Sequence, residues 1–251
     1  MSEKDVMREE RARPVCWGTI SLLVINGLVW LLQLGVYRRL PHFRFDDYFA
    51  LSLDGLRHGY VWQLLTFQLM HGSWMHIILN SWAIYVFGRA VEMTIGWRRM
   101  LQLYFLSGVV GGLVQMLGTW LLPGLFGDAG VVGASAGGFG LIAAFATLYP
   151  DEILFLLLFF VIPIRMRAQT LLRLSVALSV FGVVQPWLAP KLPHYLGFAD
   201  LFSNVAHAAH LGGIVTGCLF AGQLLRRYRR HAPPVLTTNV KSSLNINPAG
   251  D

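Results

Sequence analysis

From Cys16 to Tyr37 the chain carries no Asp, Glu, Lys or Arg, and the same is true from Met100 to Leu122, from Ser135 to Tyr149 and from Asn204 to Leu225. About 20 apolar residues in helical form match the hydrocarbon thickness of a bilayer. Inside lipid every backbone N–H and C=O has to find a partner within the protein, so runs of this length are helices. Ser73 to about Ile95 is a similar run, broken only near its end by Arg89 and Glu92. One more, the fifth in chain order, follows Arg165, Arg167 and Arg173 and ends at about Val184. Composition agrees: 55% of residues are hydrophobic and 13% charged, where a soluble domain has roughly 25% charged. The expectation is an all-α membrane protein, a six-transmembrane-helix bundle. Ile153 to Pro163 is apolar but too short to span, and reads as an interfacial or re-entrant segment.

The net charge is +7, which raises the question of nucleic acid. The distribution answers it. Lys4, Arg8, Arg11 and Arg13, the pair Arg98-Arg99, the arginines at 165, 167 and 173, and those at 226, 227, 229 and 230 all flank apolar runs. That is the pattern of cytoplasmic membrane borders, so no nucleic-acid partner is expected. It predicts a multi-pass integral protein, in the plasma (inner) membrane, with both termini cytoplasmic. The long outer loop after the first helix, Arg38 to Gln68, departs from the rule with four arginines of its own. It mixes charge with aromatics, which favour the bilayer edge, and reads as a packed insertion at the outer surface. The domain expectation is a cytoplasmic N-terminal tail (1–14), a six-span membrane domain (15–230) and a disordered cytoplasmic C-terminal tail (231–251). Gln185 to Ser203 reads as a Pro-rich outer loop. Cys16 and Cys218 lack metal-ligand spacing, and no disulfide is expected. The charged start and the long first run do not fit a cleavable signal peptide.

Strongly polar residues within spans are costly and therefore candidates for function. His76 and Asn80 stand in the second run, Ser135 opens the fourth, and His207 and His210 stand in the sixth. Arg89 and Glu92, three apart, are placed to pair on one helix face. Ser135 lies within Gly133-Ala-Ser-Ala-Gly137, the Gly-x-Ser-x-Gly pattern of serine nucleophiles. Small residues also let membrane helices pack closely, so the motif alone reads equally as a packing patch. Depth separates the two. Ser135, His210 and His76 each stand 16 residues before a charge at the far end of their helix, Asp151, Arg226 and Glu92. At 1.5 Å per residue each is about 24 Å from that edge, so all three share one level. A serine and a histidine at one level make a nucleophile and a base. His76 and Asn80, four apart on one face, with the Ser135 N–H at a helix start, would supply an oxyanion site. No buried Asp is placed to orient His210, so the pair is a dyad. His210, Gly213 and Gly217 share a face, and the Gly-x-x-x-Gly lets that helix approach the glycines after Ser135. His207 reads as a packing residue, and His71 as either packing or polar lining.

Together the motifs resemble the rhomboid family of intramembrane serine proteases. The resemblance is carried by His71-x4-His76-x3-Asn80, by Gly133-Ala-Ser135-Ala-Gly137, and by Ala209-His210-Leu-Gly-Gly213-x3-Gly217. Phe87-Gly-Arg-Ala-Val-Glu92 and Tyr149-Pro-Asp151 are also similar. It implies cleavage of peptide bonds in or next to transmembrane helices of membrane-protein substrates. It implies a Ser135–His210 dyad, an oxyanion site of Ser135 N–H, His76 and Asn80, and packing around the site at Gly133, Gly137, Gly213 and Gly217. No metal and no cofactor are required, and the partners are substrate helices and the lipid bilayer; the sequence does not give the oligomeric state. Many members carry Trp-Arg in the first outer loop, where this chain has Trp62-Gln63, which puts the loop's anchoring in question. For the family's tyrosine that stacks on the catalytic histidine, Phe181 is the candidate counterpart. The rivals are a catalytically silent rhomboid-like protein that binds transmembrane helices, which predicts loss of the serine or histidine, and a transporter, which predicts repeats or paired broken helices; neither feature is seen.

Overall fold

The computed structural model describes residues 15–40, 42–127, 130–158, 162–188 and 205–231. The first apolar run is α1, Trp17–Arg39. Three short helices make the outer insertion: α2, Phe45–Phe49, α3, Leu53–Arg57, and α4, Gln63–Thr66. The second run is helical without a break as α5, Trp74–Ala83, a π-helical turn at Ile84–Gly88, and α6, Arg89–Ile95. Then come α7, Trp97–Leu121, a short α8, Pro123–Phe126, and α9, Ser135–Leu148. An antiparallel hairpin of β1, Ile153–Leu158, and β2, Ile162–Arg167, leads directly into α10, Ala168–Leu188. The last helix is α11, His207–His231.

Four of these, α1, α7, α10 and α11 as far as Arg227, are long and apolar enough to cross a membrane. Of the other two expected spans, Trp74–Ile95 is divided by its π turn, and α9 has 14 residues, about 21 Å. The chain is an all-α membrane bundle with one small hairpin added. That hairpin is where the structure departs from the expected short apolar segment. An apolar run of this length suits a strand as well as a helix, and Pro163 is tolerated because each strand of a pair has a free edge. Phe155 stands opposite Arg165, whose guanidinium lies 5.8 Å from the ring centroid. The fifth helix also runs past its expected end at Val184, through Pro186 to Leu188. The expected tails and residues 189–203 of the expected outer loop lie outside the described residues, apart from His231.

The centre is apolar: Leu22, Ile84, Phe87, Met100, Leu103 and Leu141 are all buried there. Three helices approach closely at small residues. A methyl added at Gly213 would overlap the Ala136 carbonyl, and one at Gly217 the Gly140 carbonyl, so α11 lies directly on α9. Gly212 meets Gly111 in the same way, so α11 also lies on α7. The expected Arg89–Glu92 pair does not form. Glu92 is buried and instead accepts from Gly18 N at 2.9 Å, Thr19 N at 2.7 Å and Thr19 Oγ1 at 2.7 Å. The unpaired N–H groups of a helix start, with their partial positive charge, outbid a solvated neighbour on the same helix. Arg89 turns to the Tyr85 hydroxyl at 3.4 Å.

The outer insertion is tied down from within. The last carbonyls of a five-residue helix have no intrahelical partners. Here α4 supplies them: Gln63 Nε2 donates to Asp47 O at 2.9 Å, Trp62 Nε1 to Tyr48 O at 2.8 Å, and Thr66 Oγ1 to Phe49 O at 2.8 Å. Gln63 Oε1 also accepts from Ser52 N at 3.2 Å, and the side chain is fully buried. Gln63 is thus an internal staple of the insertion. Leu51 and Val131 exchange both backbone bonds, at 2.9 and 2.8 Å, joining the insertion to the stretch that precedes Ser135.

Candidate active site

Ser135 is the first residue of α9, so its N–H belongs to the unpaired end of that helix. The approach to it depends on Gly133. Its φ is +133°, a region L side chains rarely adopt, and a Cβ there would stand 2.6 Å from His76 Nε2. The glycine therefore lets the imidazole sit against the backbone two residues before the serine. Across the interface made by Gly213 and Gly217, His210 Nε2 lies 2.8 Å from Ser135 Oγ. His210 is 7% exposed, whereas Ser135 is half-buried and open to a reactant.

His76 is fixed by its own helix start. Ser73 caps α5, its Oγ accepting from His76 N at 3.2 Å. Gly72 N donates to His76 Nδ1 at 3.4 Å. With Nδ1 accepting, a neutral imidazole carries its proton on Nε2, the nitrogen facing Gly133. One turn further on, Asn80 is buried, and its Nδ2 has no hydrogen-bond partner among the described residues. His71, just outside the helix, packs edge-on against His76 with ring centroids 5.2 Å apart. Burial, with His76 beside it, pushes His71 down to about 4, which leaves it neutral at pH 7.

The aromatic ring on His210 is Phe139, not Phe181. Phe139 stands four residues after Ser135 on the same face of α9, with its ring 4.3 Å from the imidazole and tilted by 33°. Phe181 is 41% exposed on α10. The i, i+4 spacing from the serine was the available signal. His207 lies edge-on to His210 at 5.7 Å, and Gly182 of α10 leaves room for its ring. One packing expectation also changes. Gly137 does not face α11 but receives the Tyr104 ring of α7; the residues of α9 that meet Gly213 and Gly217 are Ala136 and Gly140.

Residues 58–227 match the family described as Rhomboid domain. The chain belongs to the rhomboid family. Among its rhomboid relatives is YdcA of Bacillus subtilis (strain 168), whose name assigns it provisionally to the rhomboid proteases; it is 28% identical over 178 residues, 70% of this chain and 73% of that protein. Rhomboid protease GluP of the same organism is 25% identical over 169 residues, 67% of this chain and 27% of that protein. Rhomboid protease GlpG of Haemophilus influenzae (strain ATCC 51907 / DSM 11121 / KW20 / Rd) is 35% identical over 77 residues, 31% of this chain and 39% of that protein. The chain thus spans well under half the length of the last two. Rhomboid membership, together with the apolar helices, makes this an integral membrane protein and supports an intramembrane protease-like function.

Proposed function

We propose that this chain is an intramembrane serine endopeptidase that cleaves peptide bonds in or next to transmembrane helices. Ser135 is the nucleophile, and His210 the general base and then the acid. The observation that carries the reading is the 2.8 Å contact between Ser135 Oγ and His210 Nε2. As Oγ attacks the scissile carbonyl, Nε2 takes its proton and later returns it to the leaving amine. Water then repeats the sequence on the acyl-enzyme. The developing oxyanion is met by Ser135 N–H, His76 Nε2–H and Asn80 Nδ2, the last a buried donor without a partner among the described residues. One such donor lowers the barrier by about 3 kcal/mol. Phe139 holds the imidazole by its face, which serves a dyad with no carboxylate beside it among the described residues. A helical substrate has its carbonyls already bonded, so it must unwind locally to react, and small or helix-breaking residues near the cleaved bond are expected.

The six-span count and the orientation belong to the same reading. With both termini cytoplasmic in the plasma (inner) membrane, Ser135 and His210 lie toward the outer side. The test is cleavage of a fluorescent transmembrane substrate by the full chain in vesicles, beside labelling by a fluorophosphonate probe. Wild type should cleave and be labelled at Ser135, and Ser135→Ala should do neither, with loss of about 10⁴-fold or more in rate. Equal behaviour of the two proteins would sink the proposal in favour of a silent helix-binding relative.

A further inference from the structure

Between α1 and the outer insertion lies a polar cavity of about 960 Å³. Its wall carries the carboxylates of Asp46, Asp47 and Asp54 and the rings of Tyr37, Tyr48 and Tyr60. Against these three acids it has one permanently charged base, Arg44, 3.0 Å from Asp47. His58 lies 3.5 Å from Asp54, and His71 closes the inner end. Tyr48 and Tyr60 are stacked at 5.9 Å, and Tyr37 donates its hydroxyl to Asp46. Carboxylates and aromatic faces around one space are the chemistry that recognises an organic cation.

A second hollow shares one wall residue, Trp30, with the first. It is an apolar groove of about 490 Å³ between α1 and α5, lined by Gly27, Leu28 and Leu31 on one side and Trp74, Ile77 and Ile78 on the other. Trp30 lines both spaces. It is 6% exposed, and its indole N–H has no hydrogen-bond partner among the described residues. From Gly27 in the groove to Tyr37 in the cavity is about 15 Å along α1. The two together offer cation-binding groups near the end of α1 and an apolar groove about 15 Å along the same helix.

We propose that cavity and groove form one binding site for a phospholipid whose headgroup ends in an ammonium. The ammonium sits among the carboxylates and tyrosine rings. Arg44 is the cation for the phosphate oxygens, and one acyl chain fills the groove. A small soluble cation would leave the groove empty, and an anionic headgroup would meet three carboxylates. The wall nearest the candidate active site includes Gly72, whose N–H donates to His76 Nδ1. The proposal does not depend on the peptidase reading.

The test is native mass spectrometry of the delipidated full chain, titrated with phosphatidylethanolamine or phosphatidylglycerol bearing the same acyl chains. One phosphatidylethanolamine should be retained, about tenfold more tightly than phosphatidylglycerol. Asp47→Asn with Asp54→Asn should remove that preference. Gly27→Leu should weaken both lipids by about tenfold by filling the groove. It also serves if the double variant folds poorly, because a Cβ at Gly27 meets no atom within 4 Å and disturbs no packing. Equal binding of the two lipids by wild type, a preference unchanged by the double variant, or binding unchanged in Gly27→Leu would each overturn the proposal.

Discussion

The four longest apolar helices divide into two kinds. In α7 and α11 half of the most apolar stretch is buried within the protein; in α1 and α10 the shares are 28% and 22%. All four qualify for the membrane on the same grounds of length and composition. What separates them is backbone approach at small residues, since Gly18 of α1 and Gly182 of α10 receive only side chains. Gly111, Gly212, Gly213 and Gly217 each meet another helix's backbone, whereas Gly27 and Gly35 of α1 have nothing within 4 Å. Apolarity brings a helix into lipid, where lipid chains are as favourable a neighbour as leucine. Close backbone approach then decides which helices come together. The candidate dyad lies in the close-packed set.

Four substitutions sharpen or break that contrast. Asn80→Ala, at the edge of the close-packed region, should lower kcat by about 10²–10³-fold while fluorophosphonate labelling of Ser135 persists; an unchanged rate removes Asn80 from the oxyanion site. Gly213→Val drives a side chain into the Ala136 carbonyl and should cost about 1–3 kcal/mol by thermal unfolding, with cleavage lost because α11 carries His210. If activity survives, the tight interface is not what holds the dyad. Glu92→Gln tests the link between the two kinds of helix, since Glu92 receives three donors from the start of α1. A neutral amide accepts more weakly, and unfolding should be easier by about 1–2 kcal/mol with the rate of cleavage little changed. The smallest effect is expected of Gly35→Ala on the open helix, within about 0.5–1 kcal/mol of wild type and stabilising if anything. A loss there comparable to that of Gly213→Val would erase the distinction.

The parts legible in the sequence follow from spacing. The common offset to the first charge placed Ser135 and His210 at one depth, and the Gly213–Gly217 face indicated how they meet. The rest was illegible where a distant partner competes with a local one. Arg89 and Glu92 are spaced for a local pair, and nothing local shows that the start of α1 arrives with three donors. Gln63 read as the loss of an arginine because its partners, Asp47 O and Ser52 N, are backbone atoms that leave no trace in side-chain pattern. Phe139 is within reach of the i, i+4 rule, since it stands one turn after Ser135 on the same face. A run of small residues does not say which helix each one receives, and Gly137 receives the Tyr104 ring of α7.

The π turn at Ile84–Gly88 governs the angular phase of the second membrane segment. In an unbroken α-helix, Asn80 and Glu92 would point about 120° apart; one extra residue absorbed by the turn brings them to within about 20°. Both side chains are buried, and that of Glu92 reaches the start of α1. Shortening this turn by one residue would rotate one end against the other by about 100°. The segment would then have to give up either the burial of Asn80 or the carboxylate of Glu92 at the first helix, so two inward positions nearly twenty ångströms apart hang on one inserted residue.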